Sequence, residues 1–258
     1  MKRKIIFYIL IFIFLSIFIV SGIQIYRIQS EYSRGVKEYN TLFDQAVVKE
    51  PDNPKGTVGT EDIKSNNPLG FNIDYDALYA LNNDYIGWIY IPDTEITYPL
   101  VAYTDNDYYL HRTFSKEYNF AGTLFLDYLT NTLSHDNVII YGHRMNNGSM
   151  FADLQKYLDQ PFYEEHKNVY IFTKDEILIY EVFSSRIVGL EDDCYTVGFP
   201  SSDYFNSWVK DMKSRSRYPT THTPILNNSV LTLSTCVKNN ETSRIVIEAQ
   251  LVGSYPLS

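Results

Sequence analysis

Hydrophobic and polar positions divide the chain into three regions of different character. The first is "IIFYILIFIFLSIFIVSGIQIY", Ile5 to Tyr26, which contains no charged residue. About 20 apolar residues in a row carry a helix across a bilayer. The preceding "MKRK" is basic, and basic flanks stay in the cytoplasm. The pattern predicts residues 1–4 in the cytoplasm, a retained membrane anchor over 5–26, and the rest outside the cell. A cleaved signal peptide has a shorter apolar run ending in small residues, which "VSG" fits poorly. From Gln24 to Lys49 the chain turns polar, with Tyr32, Val36, Tyr39, Leu42 and Phe43 at helical spacings. That predicts a helix leading away from the membrane. "EPDNPKGTVGTEDIKSNNPLG" then brings three Pro and three Gly and reads as a linker. Residues 27–72 are therefore expected to be stalk and linker, and 73–258 the folded domain. A chain starting near Asn72 keeps every expected strand, so the stalk reads as a tether and the domain as self-contained.

Beyond the linker the period shortens to that of strands. "DYDALYALNND" predicts a helix opened by Asp74 or Asp76. "YIGWIYIP" and "EITYPLVAY" predict strands joined by a Pro-Asp turn. "AGTLFLDY", "DNVIIYGH", "NVYIFT", "ILIYEVFSSRIVGL", "SVLTLSTC" and "RIVIEAQLVG" continue the series. Between them, "SMFADLQKYL" predicts a helix opened by Ser149, and "SSDYFNSWVKDMKSRS" one capped by Ser201 or Ser202. The polar "VKNNETS" reads as a loop. Seven or eight strands with short helices in the loops predict a mostly β fold, a closed and mostly antiparallel barrel.

Charge and cysteine content narrow the function. A net charge of -9, with no basic run after the first four residues, argues against a nucleic-acid binder. The 23 tyrosines suit strands and peptide-binding grooves. Only two cysteines occur, Cys194 and Cys236, with no zinc-ligand spacing around them. In an exported protein they could form one structural disulfide, as in a membrane-tethered binding module.

The alternative is thiol chemistry. Cys236 ends a strand, "VLTLSTC", where the backbone is fixed and the side chain sits at a rim. Cys194 follows Glu191, Asp192 and Asp193, whose charges oppose thiolate formation. His143 ends "NVIIYGH" in the same way that Cys236 ends its strand, and Gly142 permits a close turn there. His111, His135, His166 and His222 read as surface residues. Arg244 opens the strand after Cys236 across seven intervening residues, so antiparallel pairing returns it to the cysteine. Its guanidinium could support an oxyanion. Tyr141 and Ser234 flank the His and Cys and are candidates for substrate contact or for packing. A papain-like order, Cys before His, is reversed here. The "SHGC"-like motif of an L,D-transpeptidase is replaced by "LSTC".

"TLSTC" followed by "SRIVIEA", with "IIYGHRM" upstream, resembles the sortases, cysteine transpeptidases of Gram-positive bacteria. "GTLFLDY", "YGHRMNNGSMFADLQKYL", "FYEEHKNVYIFT" and the long insertion before "LTLSTC" resemble class B. The likeness extends from about Asp74 to Val252. It implies a sortase-like barrel with His143, Cys236 and Arg244 as its catalytic residues. It implies cleavage of an NPxTN-like C-terminal sorting signal after Thr, through a thioacyl enzyme, and transfer to a peptidoglycan amine. The partners implied are exported surface proteins, a lipid-linked wall precursor and the membrane. No metal or organic cofactor is required by that chemistry.

Overall fold

A single helix, α1 (Lys2–Ala46), carries both the apolar run and the polar stretch after it. It belongs to a computed structural model that describes residues 2–49 and 67–257. Phe12, Phe14 and Phe18 stand exposed along its first half, whereas Tyr39, Leu42 and Ala46 are buried against the domain. The change of environment follows the change of composition. β1 (Val47–Lys49) leaves the helix and pairs antiparallel with β2 (Phe71–Ile73). Most of the expected linker, residues 50–66, lies outside the described residues. α2 (Tyr75–Leu81) follows, and of the two candidate caps it is Asp74 whose carboxylate accepts the Ala77 N–H, at 2.9 Å.

The strands of the barrel are β3 (Tyr85–Tyr90), β4 (Thr97–Val101), β5 (Leu124–Leu126), β6 (Asn137–Tyr141), β7 (Asn168–Phe172), β8 (Glu176–Gly189), β9 (Val230–Val237) and β10 (Asn240–Pro256). They close in the order β10-β8-β7-β3-β4-β5-β6-β9. Two pairings, β4–β5 and β6–β9, are parallel and the rest antiparallel. α3 (Gln160–Glu165) precedes β7, and α4 (Ser202–Ser214) lies in the long insertion between β8 and β9. Ser201 caps α4, its hydroxyl facing the Tyr204 N–H.

Alternation along β9 and β10 sorts side chains between two cores. Leu231, Leu233, Ile245 and Ile247 point into the barrel with Trp88 and Leu124. Val230 and Val246 point the other way, into a second core with Phe183, Cys194, Phe205, Val209 and Met212. The insertion thus forms an outer layer over the β8–β10–β9 wall, and it covers buried polar side chains there, Arg186, Thr232, Ser234 and Glu248, as well as apolar ones.

Two elements differ from the expectation. "SMFADLQKYL" forms 3₁₀ turns over Phe151–Leu158, not an α-helix, and Ser149 does not cap it. Phe151, Leu154 and Tyr157, each three residues apart, are all buried, which matches the 3₁₀ period of three. Met150 before it takes φ 59°, and its N–H donates to the Tyr98 hydroxyl at 2.9 Å. "VKNNETS" is mostly strand: Asn239, at φ 57°, turns the chain, and a register shift between Asn240 and Arg244 absorbs the extra residues.

Candidate active site

The parallel pair β6–β9 sets the site. Tyr141 pairs with Ser234 in register. One residue on, the Gly142 N–H donates to the Ser234 carbonyl at 3.2 Å, and the Thr235 hydroxyl donates to the Gly142 carbonyl at 2.7 Å. The two chains are therefore still locked when they reach His143 and Cys236, each two residues beyond the Tyr141–Ser234 pair. Adjacent strands lie roughly 4.8 Å apart, and side chains two residues apart share a face. Gly142 is fixed by close packing, since a Cβ there would collide with the side chains of Leu124 and Phe151. On the other side of β9, Arg244 of β10 is the antiparallel partner of Cys236. The cysteine thus stands in the middle strand, with the arginine cross-strand on one side and the histidine level with it on the other.

His143 is half-buried, and its Nε2 lies 2.8 Å from the Leu110 carbonyl. A carbonyl only accepts, so Nε2 carries the hydrogen and Nδ1 is the nitrogen left to gain or lose a proton. Burial lowers the imidazole pKa from its ordinary value; the Leu110 carbonyl opposes that shift, and nearby His111 adds to it. The two imidazole rings stack at 5.8 Å. Leu110 and His111 come from a 3₁₀ turn, Tyr108–His111, between β4 and β5. Arg244 donates from Nη1 to the carbonyls of Glu241 at 2.8 Å and Ser243 at 3.1 Å, which fixes one end of the guanidinium on the hairpin.

The hydroxyls of Tyr141 and Ser234 both have protein partners. Tyr141 donates to Asp127 Oδ2 at 3.0 Å, and Asn106 donates to the same oxygen. Burial and the Asp127 carboxylate push the Tyr141 phenol well up. Ser234 Oγ lies 2.9 Å from the hydroxyl of Tyr195, whose ring tilts against Tyr141 with centroids 6.3 Å apart. The sequence did not single out Tyr195, Asp127 or Leu110. Tyr195 had one available signal, its place next to Cys194 in a long insertion.

The two cysteines are free and differ in setting. Cys194 lies fully buried in the second core, where burial first, then Glu248 and Asp192, push its thiol far up. Cys236 is half-buried at the barrel rim.

The chain matches the Sortase domain family over residues 89–252. It belongs to the sortase family. Sortase B of Listeria monocytogenes is 36% identical over 245 residues, covering 92% of this chain and 93% of that protein. The crystal structure of sortase B from Bacillus anthracis in complex with AAEK1 superposes with a TM-score of 0.71 at 30% identity, covering 87% of this chain and 99% of that one. A Staphylococcus aureus sortase B–substrate complex gives a TM-score of 0.65 at 29% identity, covering 72% and 86%. This sortase is accordingly of class B, a cysteine transpeptidase that acts on sorting signals in cell-wall anchoring. The expected closed barrel with short helices and an N-terminal apolar helix is the fold observed.

Proposed function

We propose that Cys236, His143 and Arg244 carry the transpeptidation. The observation behind this reading is that Cys236 of β9 pairs with Arg244 of β10 and stands two residues past the Tyr141–Ser234 pair, as His143 does just beyond the end of β6. The Cys236 thiolate attacks the carbonyl after Thr in an NPxTN-like sorting signal. The C–S bond forms and the C–N bond breaks through a tetrahedral intermediate. Arg244, held by its hairpin carbonyls, offers the remaining guanidinium donors to the oxyanion. His143, protonated at Nδ1, gives that proton to the leaving amine, and the thioacyl enzyme remains. An amine of a lipid-linked peptidoglycan precursor then attacks the thioester. Neutral His143 takes a proton from it, the thiolate leaves, and a new amide joins the surface protein to the wall.

The first half of α1 fits a membrane anchor: its most apolar window has mean hydropathy 2.8 and none of it is buried in the protein. With the basic end in the cytoplasm, the barrel lies outside the cell beside both substrates.

The test is mass spectrometry of the enzyme mixed with sorting-signal peptides and several amines. Cys236→Ala is expected to lose the thioacyl adduct, cleavage and transfer altogether. Cys194→Ala, in a folded protein, is expected to keep most activity. An adduct that survives in Cys236→Ala refutes the assignment.

A further inference from the structure

We propose that Tyr39 of α1 is a positioning residue for the active site, holding the Leu110 carbonyl against His143 by way of Gly122. This deepens the proposed function and rests on the reading of His143 as proton carrier. Tyr39 is 3% exposed, and its hydroxyl donates to the Gly122 carbonyl and lies 3.1 Å from Thr123 Oγ1. Gly122 has φ +61°, and a Cβ there would come 2.5 Å from the Leu110 carbonyl oxygen and 2.6 Å from that of Tyr109. Its backbone is therefore pressed against the carbonyl that accepts from His143 Nε2 at 2.8 Å. The next residue completes the strap. The Thr123 N–H donates to the Tyr109 carbonyl at 3.0 Å, and its hydroxyl donates to that of Arg112 at 2.8 Å. One glycine thus separates the helix that leads to the membrane from the group that fixes the imidazole tautomer.

Two other polar contacts of α1 fall on the same segment, while the Ala46 carbonyl at its end accepts from the Asp74 N–H at 2.8 Å. Asn119 Nδ2 donates to the Glu31 carbonyl at 3.0 Å, and the Ser115 N–H donates to the Glu38 carboxylate at 2.9 Å. Tyr32 meets Phe120 edge-on, centroids 4.8 Å apart. Phe43, by contrast, docks on Trp88 of β3 and Phe71 of β2, away from that segment. The chemical consequence is specific. A carbonyl held on Nε2–H raises the imidazole pKa and keeps Nδ1 as the working nitrogen. A looser carbonyl lowers that pKa and lets the ring turn.

The test compares Tyr39→Phe with Phe43→Leu in the full-length protein in detergent micelles. Tyr39→Phe keeps the ring that packs edge-on against Tyr98 and loses only the hydroxyl. It is expected to lower kcat for peptide cleavage about three- to tenfold with KM nearly unchanged. The acid limb of its kcat/KM profile is expected to move to lower pH. Phe43→Leu loosens α1 elsewhere and is expected to lower the thermal midpoint while leaving kcat and the limb in place. A Tyr39→Phe enzyme with unchanged kcat and limb overturns the proposal, as does a Phe43→Leu enzyme with the same kinetic loss. His143→Ala, assayed alongside, separates the two readings. Its survival removes the catalytic role of His143, whereas its loss beside an unchanged Tyr39→Phe removes only the positioning role.

Discussion

Burial makes His143 an unfavourable place for a proton, and this gives it a signature in stability as well as in rate. Its folded pKa lies below the ordinary value, with burial the largest cause. The unfolded chain binds the proton first as pH falls through about 6.5. Between that point and the lower folded value, the unfolded state holds more protons, so stability declines with falling pH. Above about 6.5 the contribution of the neutral imidazole is complete. We therefore expect the wild type to lose more stability than His143→Asn between pH 7 and pH 5, read as urea midpoints of both proteins at each pH. A smaller loss in the wild type means the fold favours the cation and reverses the sign. The residues that set this environment could not be found from local sequence. Leu110 lies 33 positions from His143, and Tyr195 lies 39 from Ser234. His222, read as a surface residue, is 4% exposed and meets Gln250 of β10 at 3.0 Å. Strand ends are visible to a local reading, whereas partners brought in by barrel closure are not.

At the scale of elements, hydrophobic period located the strands and the α4 cap, because both signals are local. It did not reveal the parallel β6–β9 pairing that brings His143 level with Cys236, since the two strands are separated by the whole α3–β7–β8–α4 stretch. The same closure creates a buried ionic knot between layers. Arg186 of β8 pairs with Glu248 of β10, which is fully buried, and with Asp192 of the insertion at 3.1 Å. The knot ties the insertion carrying Tyr195 to the barrel wall. Arg186→Met leaves the Glu248 carboxylate buried without its cationic partner and is expected to cost about 3–5 kcal/mol. Arg186→Met with Glu248→Leu removes both charges and is expected to recover most of that loss. Denaturant unfolding of the two variants decides it: a double variant no more stable than the single one shows that the pair itself, not the orphaned charge, carries the stability.

At the scale of the whole molecule, the question is whether α1 only tethers the enzyme. Composition alone reads residues 27–72 as stalk and linker, because polar residues with scattered apolar ones look alike on a free helix and a docked one. The structure separates them: the helix is bare through its first half and buried at Tyr39, Leu42 and Ala46 in its second. Two shortened chains exploit that division. One starting at Arg27 loses the apolar run and keeps every contact of α1 with the barrel from Glu31 onward. We expect it to match the full-length enzyme in thermal midpoint and in peptide cleavage. One starting at Asn72 also loses the buried side chains of the second half, together with β1 and the ring of Phe71. We expect a midpoint lower by several degrees, since each exposed core side chain costs about 1.5–3 kcal/mol. Its kcat should also fall at least as far as that of Tyr39→Phe. Transfer to an amine on a vesicle-bound lipid should be slower for both chains than for the full-length enzyme, because neither is held at the membrane. Calorimetry and peptide cleavage side by side give the answer. If the chain from Asn72 equals the full-length enzyme in both, α1 is a tether alone, and the route from Tyr39 through Gly122 to Leu110 has no part in catalysis.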